Sequence, residues 1–157
     1  MAAPLPLETS DSHSTVELVC LNPEDIEQLW PLVRGYVRKV VRLTPKLEEI
    51  DVLKLVQEEY WQLWIAWDVD RGDALAAMTT ELTNYESGWR TVRINLLGGI
   101  EMDRWKHLVS EIEDWARSEG CDAVEICGRK GWGTVFPEYE LIEHTFSKEL
   151  RHDQRWK

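Results

Sequence analysis

A single α/β domain built on a mixed sheet follows from three features of the sequence. From residue 89 to residue 150 the chain reads as a strand, a Gly98-Gly99 break, an amphipathic helix, a strand, a short tryptophan-bearing segment and a final strand. Strands joined through a helix run parallel. Upstream, apolar runs over 60–67, 74–85 and 89–97 are separated only by turns, which makes them an antiparallel meander. Two helical patterns precede that meander. The predicted order is β-α-α-β-β-β-α-β-α-β over residues 15–150, between an N-terminal tail, 1–14, and a C-terminal tail, 151–157.

The first strand spans 15–21, with Val16, Leu18 and Cys20 on one face. Asn22-Pro23 starts a helix: Asn suits the cap, Pro the first helical position, and Glu24 and Asp25 the positive end. Its apolar stripe is Ile26, Leu29, Trp30, Val33, Val37, Val40 and Val41, with Pro31 a candidate kink. Thr44-Pro45 repeats the start signal for a second helix reaching Glu58. The run over 60–67, apolar except at Gln62, reads as a buried strand. Gly72 and Ser87-Gly88 mark the meander turns, and Val92, Ile94 and Leu96 share a face of the third strand. The helix predicted over 102–118 places Met102, Trp105, Leu108, Val109, Ile112, Trp115 and Ala116 at steps of three and four, and ends at Glu119-Gly120.

The 157 residues suit one domain with a real core. Lys and Arg number 18 against 29 Asp and Glu, a formal charge of −11. Affinity for nucleic acid comes from neutralising phosphates, so direct nucleic-acid binding is not expected. No apolar run reaches the roughly 20 residues of a membrane span, and no basic flank leads an apolar block as in a secretory signal. Cys20, Cys121 and Cys127 are odd in number and lack metal spacing, which fits reduced thiols packed as small core residues in a cytoplasm. His13, His107, His144 and His152 are scattered, and no metal site is expected.

The element order, with Gly98-Gly99 before the long helix and Gly128-Arg129-Lys130-Gly131-Trp132 after the next strand, resembles the GNAT (Gcn5-related N-acetyltransferase) superfamily. Within it the chain looks most like the short GNAT-like proteins of tailed bacteriophages. The resemblance implies a sheet splayed between its fourth and fifth strands with acetyl-CoA in the gap, against Leu96, Leu97, Gly98 and Gly99. It also implies a Gln/Arg-x-x-Gly-x-Gly/Ala loop for the diphosphate. Here the matching stretch is Leu96-Leu97-Gly98-Gly99-Ile100-Glu101-Met102-Asp103, without the leading Gln/Arg. Glu101 and Asp103 stand where phosphate oxygens would lie. A carboxylate about 5 Å from a phosphate charge repels it by about 3 kcal/mol at an effective dielectric near 20, roughly two decades of affinity.

The family's Asn and Tyr positions fall on Arg129 and Phe136, and Phe has no proton to give. Tyr139 is the nearest hydroxyl. Glu81, Glu86, Glu125 and Glu143 lie on predicted strands or their ends; Glu81, on the middle meander strand, is the candidate base. Nine tryptophans are many for this length. Trp61, Trp64, Trp67, Trp105 and Trp115 fit core positions, whereas Trp30, Trp89, Trp132 and Trp156 are less well explained. Trp132 with Arg129, and Trp156 in the basic C-terminal tail, are the interface candidates.

The leading expectation is a GNAT-like protein with a degenerate acetyl-CoA site, a non-catalytic virion-associated or assembly module of a phage. Its partners would be phage structural proteins or further copies of itself, in the host cytoplasm or within a virion. The alternative is an active acetyl-CoA-dependent N-acetyltransferase using Glu81 and Tyr139 on a small or peptide amine. A third reading is an acidic inhibitor of a host protein.

Overall fold

A computed structural model describes residues 15–151. Five strands form one sheet in the order β1-β2-β3-β4-β5: Val16–Cys20, Gln62–Asp68, Asp73–Asn84, Arg90–Gly99 and Ala123–Ile126. The first three pairings are antiparallel, and β4 pairs with β5 in parallel. The meander and the parallel crossover are therefore as the sequence predicts.

Helices α1 (Ile26–Val41) and α2 (Glu49–Gln57) cover one face of the sheet, and α3 (Val109–Ser118) covers the other. The alternation along β2 shows why Leu63–Trp67 is apolar at every position. Leu63 and Ile65 pack with Ile26, Val33, Val37, Val52 and Val56, while Trp64 and Ala66 pack with Trp105, Val109 and Ile112. Ala74, Ala76 and Ala77 keep β3 thin between the two layers. Trp30 belongs to the first core, 7% exposed, and its indole donates to Glu49 at 3.1 Å.

Four expectations are corrected. The second helix begins at Glu49, not at Pro45. The Thr44 hydroxyl instead accepts the Lys46 N–H to make a turn, and the Asp51 carboxylate accepts the Glu48 N–H at 2.8 Å, which sets the true start. Cys20 is exposed, since only Val16 of β1 is buried.

The helix predicted from Met102 begins only at Val109, after two 3₁₀ turns over Met102–Arg104 and Lys106–Leu108. Tertiary contacts override helical periodicity here. Glu101 takes a left-handed conformation (φ 51°), Arg104 is drawn to Asp68, and the Trp105 indole donates to the Ile100 carbonyl at 2.8 Å. The last correction is the final strand. After the short helix α4 (Trp132–Val135), residues 140–150 form no strand, and Leu141, Ile142, Phe146 and Leu150 lie exposed.

Candidate functional site

The site is built where two parallel strands part. β4 and β5 pair over Thr91–Ile94 and Ala123–Ile126, and the Cys127 N–H still reaches the Ile94 carbonyl at 3.0 Å. Beyond that point β5 ends. Gly128 adopts φ 153°, and the Trp132 indole lies 3.0 Å from where a Cβ would stand, so the chain turns away. Among the described residues β4 continues alone to Gly99, with Leu96, Leu97, Gly98 and Gly99 paired only to Thr79, Met78, Ala77 and Ala76 of β3. Its other edge presents free backbone groups to a gap, as an extended polar ligand would need.

Leu96 and Leu97 are both buried, one toward each core. The two glycines have a packing reason. A Cβ on Gly98 would sit 2.9 Å from Val40 Cγ2, and one on Gly99 would sit 2.6 Å from Ala76 Cα and strike the Leu75 carbonyl. β4 therefore presses against α1 and β3 at these positions and offers a ligand backbone alone.

At the far end of β4, the carboxylates meet guanidinium groups. Asp68, 1% exposed, accepts the backbone N–H groups of Asp70 and Arg71 at 3.1 Å and the Arg104 guanidinium at 2.8 Å. Glu101 takes Arg71 at 2.9 Å and Arg104 at 3.5 Å. Both acids are held below the usual carboxylate range, Asp68 first by the Arg71 backbone N–H and Glu101 first by the Arg71 side chain. Asp103 is 92% exposed and meets Lys106 at 3.2 Å. The acid expected from the sequence is present, but Glu101 is turned onto Arg71 and Arg104 and its charge is compensated. No α-helix N-terminus faces this loop, because 3₁₀ turns follow it.

Glu81 and Tyr139 are not brought together. Arg93, the cross-strand partner of Glu81, sits between Val92 and Ile94, which face the α3 core, so Glu81 points to the opposite side of the sheet. There it accepts the Asn95 amide at 2.9 Å. Tyr139 packs on the α3 side and donates its hydroxyl to Glu113 at 2.6 Å. Burial first, then Glu113, pushes that phenol well above its ordinary range. Phe136 is 9% exposed, in a row with Trp132 and Tyr139 at 5.9 Å ring spacings. Trp132 is thus half-buried against the core, with the Arg129 guanidinium 5.7 Å above its ring. Trp156 lies outside the described residues.

Sequence reasoning missed a second group on the Glu81 side. Arg93 donates to Cys127 Sγ at 2.9 Å and lies 3.3 Å from Glu125, whose carboxylate also meets the Tyr85 hydroxyl at 3.5 Å. The available signal was Arg93 and Asn95 interrupting the apolar pattern Val92, Ile94, Leu96. Among the described residues, no group of three or more His, Cys, Asp or Glu could hold a metal, and no helix is long and apolar enough to cross a membrane.

Solved structures decide the fold. An aminoglycoside acetyltransferase, meta-AAC0020, from an uncultured soil metagenomic sample superposes with a TM-score of 0.64 at 13% identity, covering 87% of this chain and 97% of that one. The chain has the GNAT fold. A GNAT family acetyltransferase of Staphylococcus aureus matches with a TM-score of 0.60 at 15% identity, over 87% of this chain and 99% of its own. The ribosomal-protein-alanine N-acetyltransferase of Brucella melitensis matches with 0.59 at 14%, over the same shares. No protein-family profile and no curated protein sequence matches the chain. The sequence resemblance implies acetyl-CoA between the fourth and fifth strands, and β4 and β5 part in this structure beyond Ile94 and Ile126. The free edge of β4 fits a pantetheine arm; the loop after it does not fit a diphosphate.

Proposed function

We propose that this chain is a GNAT-fold protein with a degenerate acetyl-CoA site that works through protein contacts, as a virion-associated or assembly module of a bacteriophage, in a host cytoplasm or a virion. The observation that carries this reading is the Glu101 carboxylate seated on Arg71 and Arg104. A side chain of the protein takes the place of the anion at the two guanidinium groups nearest the cofactor loop. The supporting observation is the Tyr139 hydroxyl, committed to Glu113 on the α3 side of the sheet and away from Glu81. The phage setting rests on the Gly128-Arg129-Lys130-Gly131-Trp132 segment, and the partners in view are phage structural proteins or further copies of the chain.

The deciding experiment is free-CoA release from acetyl-CoA over a panel of small amines, polyamines and lysine peptides. No turnover above the uncatalysed rate is expected. Turnover that falls on Glu81→Gln would overturn the reading.

A second reading, an N-acetyltransferase acting on a cationic amine, is favoured by one arrangement. The free edge of β4 lies beside Glu81, held by Asn95 on an open face that also carries Glu125. Acidic side chains there suit an amine acceptor.

A further inference from the structure

α1 and the turn after it carry charge opposite to the rest of the chain. Residues 28–47 hold Arg34, Arg38, Lys39, Arg42 and Lys46 and no Asp or Glu. Elsewhere the other 13 of the 18 Lys and Arg stand against all 29 Asp and Glu. Part of this basic run is compensated within the fold, because Arg34 and Arg38 both reach Glu49 at 3.0 Å. Lys39, Arg42 and Lys46 are exposed, and none of them forms an ion pair among the described residues.

Leu32, Gly35, Lys39 and Arg42 follow steps of three and four along the side of α1 opposite the buried Val33, Val37 and Val41. The helical path runs on past Val41: the Arg42 N–H bonds to the Arg38 carbonyl at 3.2 Å and the Leu43 N–H to the Val40 carbonyl at 3.0 Å. Two apolar side chains flank the cations in water, Leu32 at 39% exposure and Leu43 at 61%. Gly35, between them, is the residue that the fold itself does not require. Gly98 and Gly99 are there because a Cβ would strike a neighbour, but a Cβ on Gly35 meets nothing within 4 Å, and its place is inside a helix. Glycine weakens a helix relative to alanine. What it supplies here is a flat place where a second helix can come close.

We infer that the outer face of α1 docks an acidic helix of a partner protein, laid across Gly35 with its carboxylates on Lys39, Arg42 and Lys46 and its apolar side chains on Leu32 and Leu43. Charge complementarity selects this class of partner: the three cations lack an anion within the fold, and an acidic segment supplies it. A nucleic acid would bring its phosphates over the acidic remainder of the surface, which repels them. A helix suits the face better than an extended segment, because α1 satisfies its own backbone and offers a partner side chains alone. The inference stands independently of the cofactor gap, since this side of α1 is turned away from the sheet.

Fluorescence anisotropy of a labelled amphipathic peptide of Glu and Leu, about 20 residues long and titrated with the full chain, tests the inference. At about 50 mM salt a dissociation constant of about 100 μM or tighter is expected, weakening at least about tenfold at about 500 mM. Lys39→Glu combined with Arg42→Glu should weaken binding at least about tenfold. Both side chains are exposed, so the circular dichroism of that variant should match the parent. Gly35→Leu separates docking from folding. Its urea midpoint should hold or rise, since leucine is the better helix former and has open space there, while peptide binding weakens at least about tenfold. Absence of peptide binding at low salt overturns the inference. So does binding unmoved by the charge reversal or by Gly35→Leu, or tighter binding of a single-stranded DNA of equal charge, which would make the face a nucleic-acid site.

Discussion

The Arg104 guanidinium lies 2.8 Å from the buried carboxylate of Asp68, joining the end of β2 to the loop that follows β4. With Glu101 and Arg71, this pair decides the shape of that loop. Asp68 and Glu101 both titrate below their ordinary values. Their contribution to stability is therefore fully present above the unfolded carboxylate range, about pH 4, and is lost as pH falls through the lower folded values. Urea midpoints measured from pH 7 down to pH 3 should stay level and then drop below about pH 4. Asp68→Asn should lower stability at neutral pH and flatten that acid limb.

Glu101→Gln should remove one of the two anions that Arg71 and Arg104 share, leaving both guanidinium groups beside Asp68 and the loop one negative charge lighter. Acetyl-CoA binding is then expected to tighten by about tenfold, a difference of about 1.4 kcal/mol in binding free energy. Asp103→Asn, at a 92% exposed side chain paired with Lys106, should change binding far less. Calorimetric titration of both variants checks the contrast.

Gly99→Ala should destabilise the fold by about 1–3 kcal/mol, since its Cβ would meet the backbone of Leu75 and Ala76. Gly98→Ala should cost less, because its nearest obstacle is the Val40 side-chain terminus. Urea unfolding of the two variants orders them.

Tyr139→Phe should lower stability by about 1 kcal/mol through loss of the hydrogen bond to Glu113. The phenol is raised above its unfolded value near 10, so the bond's contribution holds below about pH 10 and fades as pH climbs past it. Unfolding of the two proteins at pH 7 and above pH 10 measures this difference.

Much of the fold was legible because its signals are local. Asn22-Pro23, the continuous run of β2 and the Gly88 turn each act within a few residues, and all place their elements within two or three positions. The late start of the second helix is a local effect of the Thr44 turn and the Glu48–Asp51 bond, whereas other failures come from contacts that periodicity does not carry. Periodicity from Met102 onward is helical, yet Trp105 bonded to Ile100 and Arg104 bonded to Asp68 hold the first turns in 3₁₀ form. The stretch after Glu140 has strand composition and no partner within the described chain. At the site, the acids were readable, but their guanidinium partners were not: Arg71 is 30 residues from Glu101, and Arg104 is 36 from Asp68. Arg93 with Cys127 was hidden in the same way, 34 residues apart.

Titration of acetyl-CoA into the full chain by calorimetry bears most directly on whether the GNAT gap still serves its cofactor. With Glu101 holding Arg71 and Arg104, a dissociation constant weaker than about 100 μM is expected, two decades from a working micromolar site. A value in the low micromolar range, with acetyl transfer to any amine, would contradict it.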